Sequence, residues 1–112
     1  METQVTGGIY EFCKKLNIEI ADVLDTQRKS TNHKTIRGMY YLMLERNGFG
    51  IADIERLGSE NIQTIYRRMN KMKELLKAND SFAIFVYDVV KSISIEKKSQ
   101  KAFFESFQKD MN

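Results

Sequence analysis

Apolar residues recur along this chain at intervals of three and four residues, which is the spacing of one face of an α-helix. The clearest stripes begin at Ile9, Ile36, Ile62 and Phe82. No run alternates apolar and polar residues long enough to indicate a strand, and the segment 92–95 is too short to count as one. The pattern therefore predicts an all-α fold, a compact multi-helix domain.

Turn-forming and capping residues divide this pattern into segments. Residues 1–8 are predicted to be a flexible lead, residues 9–95 the helical domain, and residues 96–112 an additional C-terminal helix or tail. Within the domain the predicted order is a helix from Ile9, a short helix after Asn17, a polar loop over 26–34, a helix from Ile36 to Asn47, a short helix over 51–57, a turn at Gly58-Ser59, a long helix over 60–77, and a helix capped at Asn79-Asp80.

The composition fits a single globular domain. The chain has 112 residues, of which 42% are hydrophobic and 29% charged, and it contains no proline. Its one cysteine, Cys13, cannot form an intramolecular disulfide or a cysteine-based zinc site, so we expect a buried apolar residue in a reducing, cytoplasmic setting. No apolar run is long enough to span a membrane, and the N-terminus lacks a signal-peptide pattern, so we expect no membrane partner.

Residues 51–77 have the proportions of a helix-turn-helix, with a short helix, a tight glycine-containing turn and a longer helix. In that motif the second helix enters the major groove of DNA with its N-terminal half. Helical projection predicts a core-facing side made of Ile62, Ile65, Tyr66, Met69, Met72 and Leu76. The same projection predicts an outward side made of Glu60, Gln63, Thr64, Arg67 and Lys71.

The outward side chains suit contact with DNA. Gln63 can pair with adenine, and Thr64 can donate a hydrogen bond or touch a thymine methyl group. Arg67 can reach guanine or a phosphate. The other basic residues that can neutralise phosphates are Arg68, Lys71 and Lys73. A charged outer face is also typical of a solvated helix, so DNA contact is a hypothesis at this point.

Charge is segregated along the chain, which has a net charge of +3 and a pI of about 9.0. Two windows, 26–44 and 61–73, contain no acidic residue. They hold eight of the 18 basic residues, namely Arg28, Lys29, Lys34, Arg37, Arg67, Arg68, Lys71 and Lys73. A loop that contains Arg28 and Lys29 beside a basic helix can contact a minor groove or flanking phosphates, although it can equally be a solvated connector.

The order of these segments resembles the C-terminal DNA-binding domain of the bacterial replication initiator DnaA. NIEIADVLD is similar to that family's Ile/Val-x-Val-x-Asp-Leu-Leu pattern, QRKSTNHK occupies the place of its basic loop, and IRGMYYLMLE resembles its next helix. IADIERLGSENIQTIYRRM stands where the family has Ile-Gly-x-x-Phe-Gly-Gly-Arg-Asp-His-Thr-Thr-Val, and NDSFAIFVYDVV resembles its closing helix. The resemblance covers about residues 9–90 and implies a helix-turn-helix that binds double-stranded DNA.

The resemblance also implies roles for single residues. Arg28 matches a loop arginine that enters the minor groove, and Arg37 lies within one position of an arginine-glutamine pair that contacts DNA. Gln63 and Thr64 take the place of paired threonines, whereas the segment 60–62 replaces Arg-Asp-His with Glu-Asn-Ile. With the basic residues above, the candidate DNA-contacting set is Arg28, Lys29, Lys34, Arg37, Asn61, Gln63, Thr64, Arg67, Arg68 and Lys71.

No catalytic or metal-binding pattern is recognisable in the sequence. The single histidine, His33, has no second histidine as a partner, and the chain contains no Gly-x-x-x-x-Gly-Lys-Ser/Thr loop. We therefore expect no enzyme activity, no cofactor and no metal.

Two hypotheses about function remain. The first is a double-stranded DNA-binding regulator of replication or transcription, of the kind that a phage or mobile element encodes. The second is a protein–protein interaction module, for example a phage-encoded inhibitor, that keeps the fold but has lost base reading. In the second case Phe103, Phe104 and Phe107 are candidates for contact with a partner or a second copy.

Overall fold

The structure, a computed structural model, describes residues 8–95 and contains six α-helices in that range. In chain order they are α1 (Ile9–Leu16), α2 (Ile20–Leu24), α3 (Thr31–Arg46), α4 (Ile51–Gly58), α5 (Ile62–Lys77) and α6 (Ser81–Lys91). No strand occurs between residues 8 and 95, so the all-α prediction is confirmed. The predictions for the lead and for the segment 96–112, including Phe103, Phe104 and Phe107, fall on residues 1–7 and 96–112, which lie outside the described residues.

Helix α3 is the centre of the domain. It packs against α2, α4, α5 and α6, and every residue from Thr35 to Leu44 is buried. A helix that is covered on all sides needs a close neighbour, and Gly38 provides the space, since a Cβ atom there would lie 2.6 Å from Met72 Cγ. The predicted buried position of Cys13 is confirmed in α1, which closes the core from the side of α6.

Side-chain caps determine where three of the helices begin. The Ser30 hydroxyl accepts from the His33 amide, Asn61 Oδ1 accepts from the Thr64 amide, and Asp80 Oδ2 accepts from the Ala83 amide. The cap predicted at Asn79-Asp80 is therefore confirmed. The prediction of a loop over residues 26–34 is wrong at 31–34, because Ser30 caps a helix that starts a turn earlier than its first apolar residue.

The predicted pair of helices around the turn is present as α4 and α5. Helix α4 ends at Gly58, Ser59 adopts the left-handed conformation with φ 61°, and α5 begins at Ile62 rather than at Glu60. Ile65, Met69 and Met72 are buried as predicted. Ile62 and Tyr66 are exposed, which contradicts the predicted core side, because the buried arc of α5 turns toward Arg68 instead.

Phe85, which belongs to the apolar stripe that begins at Phe82, is exposed, while Ala83, Val86 and Val90 make up the buried side of α6. Among the helices of residues 8–95, none combines the length and the hydropathy that a membrane span requires.

Candidate nucleic-acid interface

A groove of about 640 Å³ runs between the first turns of α3, the middle of α5 and the start of α6. The basic residues that line it are Lys34 from α3 and Arg67, Arg68 and Lys71 from α5. Met72 and Phe82 contribute apolar surface to the same groove. The structure therefore brings together cations from the two acid-free windows of the sequence, although more than thirty positions separate Lys34 from Arg67.

Three of the groove cations have no internal counter-ion in the part of the chain that the structure describes. Lys34, Arg67 and Lys71 are exposed, and none of them makes an ion pair within residues 8–95; the same holds for Lys29 in the connection before α3. Asp80 is the acidic residue among those that line the groove, and its carboxylate accepts a hydrogen bond from the Ala83 amide as the cap of α6. Their positive charge is consequently available to an anion from outside the fold.

The start of α5 presents the predicted polar side chains to solvent. Gln63 is exposed and Thr64 is half-buried. Asn61 is exposed, but its side-chain oxygen accepts from the Thr64 amide at 2.9 Å, so only its amide N–H groups remain available to an outside acceptor. Three of the predicted contacts are thus placed at one end of α5, next to Arg67.

Arg37 is a correction to the predicted site. Its side chain is fully buried, with Nε donating to the Val23 carbonyl at 3.0 Å and Nη2 donating to the carbonyls of Asp25 and Arg28 at 2.9 Å each. A guanidinium enclosed in this way cannot contact DNA. Its role is to hold the connection between α2 and α3 against the side of α3, because each of those carbonyls would otherwise be left without that donor.

Arg68 and Glu60 are the second correction. Arg68 Nε and Nη2 donate to the two carboxylate oxygens of Glu60, both at 2.9 Å, and the side chains are only 15% and 9% exposed. The Tyr41 hydroxyl donates to Glu60 Oε1 at 2.5 Å, and Arg37 Nη1 lies 4.0 Å from Glu60 Oε2. Arg68 is therefore not available to a phosphate, and Glu60 faces inward rather than outward.

The protonation of this cluster follows from its contacts. Burial alone would raise the pKa of Glu60, but the donors from Arg68 and Tyr41 outweigh it and hold the pKa below its ordinary value. Burial, reinforced by the carboxylate of Glu60, raises the pKa of the Tyr41 phenol. The hydrogen bond to Glu60 likewise raises the pKa of Arg68. The cluster is a charged pair of Glu60 and Arg68 with a neutral tyrosine.

Arg28 has acidic neighbours that its sequence window lacks. Its Nη1 lies 2.6 Å from Asp22 Oδ1 and 3.8 Å from Glu19 Oε1, and its Nε lies 3.7 Å from Asp25 Oδ2. His33 Nε2 also lies 3.1 Å from Asp22 Oδ1. The window is acid-free in sequence but not in space, because α2 and its ends fold back beside it.

The Asp22 carboxylate is ionised in this arrangement. The backbone N–H of Glu19 lowers the pKa of Asp22 most, burial opposes that effect, and His33 and Arg28 lower the pKa further. The minor-groove role that the resemblance implies for Arg28 stays a prediction. It requires Arg28 to exchange a carboxylate partner for DNA.

The Glu60 cluster is the feature that sequence reasoning missed. Its contact with Tyr41 joins positions 19 residues apart, and its contact with Arg68 pairs two charged residues, whereas the helical pattern was read from apolar residues alone. The charge itself gave no signal, since an acid near a helix start is favoured by the helix dipole whether or not it is buried. Within residues 8–95 no three His, Cys, Asp or Glu side chains are grouped so as to hold a metal ion.

Comparison with protein-family models, with curated proteins and with solved structures found no match for this chain. The family relationship to DnaA therefore stays a prediction from the sequence pattern. The class that the structure defines is an all-α domain with six helices in the described range.

Proposed function

We propose that this chain is a double-stranded DNA-binding protein that places the first half of α5 in the major groove and regulates replication or transcription. The observation that carries the proposal is the convergence of Lys34, Arg67 and Lys71 on one groove, with no internal ion pair for any of them within residues 8–95. DNA presents closely spaced phosphates, so cations that share one groove gain more from it than the same number scattered over a surface.

The position of each side chain suits it to a different part of the DNA. Gln63 and Arg67 are exposed in the first two turns of α5, the part of a recognition helix that reaches base edges. Lys34 and Lys71 stand beside them in the groove and suit phosphate oxygens, which position the protein without reading sequence. Lys29 is exposed just before α3 and extends this basic surface.

Internal neutralisation of Glu60 supports the same proposal. An exposed carboxylate at the start of α5 would repel the phosphate backbone. The contacts with Arg68 and Tyr41 turn the carboxylate inward, so the outward surface of residues 61–73 has cations and no acid. The departure from the DnaA pattern at position 60 therefore does not place a negative charge on the proposed DNA-facing surface.

The test measures the affinity for a random-sequence duplex at two salt concentrations, by fluorescence anisotropy. We expect Lys71→Ala to bind more weakly than the wild type and to have a salt slope that is shallower by about 0.9, the value for one lost phosphate contact. Lys91→Ala is the matched control, because Lys91 is an exposed cation at the far end of α6, 3.3 Å from Asp88. It should leave both quantities unchanged.

Two results would contradict the proposal. One is a wild-type protein that binds no duplex even at low salt. The other is an equal effect of Lys71→Ala and Lys91→Ala, which would mean that net charge rather than the groove determines binding.

The alternative, a protein-binding module, is favoured by a different surface. Ile84 and Phe85 are exposed on α6, and neither belongs to the groove. Under this alternative, Phe85→Ser weakens self-association measured by sedimentation, and the wild type has no salt-dependent affinity for DNA. Under the DNA-binding proposal, Phe85→Ser leaves DNA affinity unchanged.

A further inference from the structure

Two large apolar side chains lie uncovered in the first turns of α5. Ile62 is 37% exposed and Tyr66 is 49% exposed, whereas Ile65 on the same helix is fully buried. They are four residues apart and are therefore neighbours on the helix surface. Exposed apolar residues are common when single, but here a pair lies beside the exposed Gln63, which is three residues from Tyr66 on the helix, so its position needs an explanation.

The surroundings of the pair indicate which apolar group it meets. Gln63 and Arg67 are exposed in the same two turns, and no acidic residue occurs between positions 61 and 73. A recognition helix presents these turns to the major groove, where the apolar group on a base edge is the C5-methyl of thymine. Isoleucine at the first position of α5 cannot hydrogen-bond to a base but can pack against that methyl group.

We propose that Ile62, with Tyr66 beside it, contacts the C5-methyl group of a thymine, so that the target contains thymine at that position. The inference rests on the proposed function and adds the chemistry by which this chain chooses among sequences. Gln63, the next residue, suits a neighbouring adenine through its amide. The site read by the start of α5 is accordingly an A·T-containing step.

The experiment removes the methyl group from the DNA and the isoleucine from the protein, separately and together. A duplex is first selected from a random pool with the wild type, and each thymine in it is then replaced by deoxyuridine, which lacks only the C5-methyl. We expect one replacement to weaken wild-type binding by about fourfold, the factor that corresponds to one buried methyl group. With Ile62→Ala, the same replacement should have almost no effect, as a double-mutant cycle requires.

Ile84→Ala is the matched control. Ile84 is also 37% exposed, lies on α6 and is not part of the groove, so this variant should keep the fourfold effect of deoxyuridine. Melting curves check that the variants fold, which their exposed positions lead us to expect.

Each outcome has a distinct meaning. Loss of the deoxyuridine effect in Ile62→Ala alone supports the inference. An equal effect in both variants, or a wild type for which no thymine matters, overturns the inference while the proposed DNA binding stands. A wild type that binds no duplex overturns the proposed function itself.

Discussion

Arg67 and Arg68 are adjacent in the sequence and have opposite surroundings in the fold. Arg67 is exposed beside the groove and makes no ion pair within residues 8–95, whereas Arg68, which lines the same groove, is largely buried and donates two hydrogen bonds to Glu60. Successive residues of a helix are rotated by 100°, which is enough to place one of two adjacent arginines in solvent and the other largely in the core. The number of basic residues in a run of sequence is therefore not the number of cations that a ligand can reach.

The Glu60 cluster and the groove also differ in the interactions that stabilise them. The inner cluster of Tyr41, Glu60 and Arg68 has a partner for each charge and joins α3 to the turn before α5. The outer groove has three exposed cations, Lys34, Arg67 and Lys71, that make no ion pair within residues 8–95. Their charge is therefore not used to hold the described part of the fold together.

The largest expected effect is the difference in stability between substitutions at the two arginines. Arg68→Ala leaves Glu60 without its main donor in a mostly buried position, so we expect a loss of roughly 3 kcal/mol in the free energy of unfolding. Arg67→Ala should change it by less than about 0.5 kcal/mol, because the side chain is exposed and unpaired within the described residues. Urea denaturation of both variants measures the two values, and equal losses would show that the inner pair has no structural role.

An intermediate effect is expected at the contact between α3 and α5. Gly38→Ala places a Cβ 2.6 Å from Met72 Cγ and 3.2 Å from the Arg68 carbonyl oxygen. We expect it to cost about 1–3 kcal/mol, because the backbone of α5 cannot move away without disturbing the Glu60 cluster.

Gly50→Ala is the control for this substitution. A Cβ at Gly50 would meet no atom within 4 Å, and Gly50 is the N-terminal cap of α4, where glycine and alanine differ by less than about 1 kcal/mol. Thermal melting distinguishes the two variants, and an unchanged midpoint for Gly38→Ala would contradict the close packing.

The smallest expected effect depends on pH and reports on one carboxyl group. The pKa of Glu60 is lower in the folded state than the value of about 4.3 for an unperturbed glutamate. The pair with Arg68 therefore stabilises the fold fully above that unfolded value, and its contribution is lost as pH falls through the folded pKa. Glu60→Gln should show a shallower decline of unfolding free energy over this acid range than the wild type.

The control for the pH measurement is Asp53→Asn. Asp53 lies 2.9 Å from Arg56 in a solvent-exposed pair, so its removal should leave the acid dependence close to that of the wild type. An identical pH profile for Glu60→Gln and the wild type would mean that Glu60 titrates as an isolated glutamate.

Much of the fold was predictable because its determinants are local. The i, i+3, i+4 spacing located the helices, and Asp80 capped α6 as the sequence indicated. A capping side chain accepts a hydrogen bond from a backbone amide only two or three residues further along, so it depends on local sequence alone. The same locality explains the error at residues 31–34: their apolar content is low, so periodicity ignored them, although Ser30 was present as a cap. Helix ends are decided by hydrogen bonds and not by hydrophobicity alone.

The candidate site was predictable only in part. Helical spacing placed Arg67 and Lys71 on the outward side of α5 and Met69 and Met72 on the inward side, as the structure has them. It placed Tyr66 inward, where the structure exposes it. The discrepancy arises because a charged residue, Arg68, occupies part of the inward arc, and hydrophobic periodicity cannot anticipate a buried ion pair.

The sequence by itself determined that this chain is all-α, where most of its helices lie, and that its positive charge is concentrated in two windows. Tertiary structure alone decided which of those charges are open to a ligand. Arg37 and Arg68 are enclosed by carbonyl and carboxylate partners from distant positions, Arg28 has Asp22 beside it, and Lys34, Arg67 and Lys71 line one groove. The physical reason is that helix formation depends on neighbours in sequence, whereas the pairing of a charge depends on groups that only folding brings within hydrogen-bonding distance.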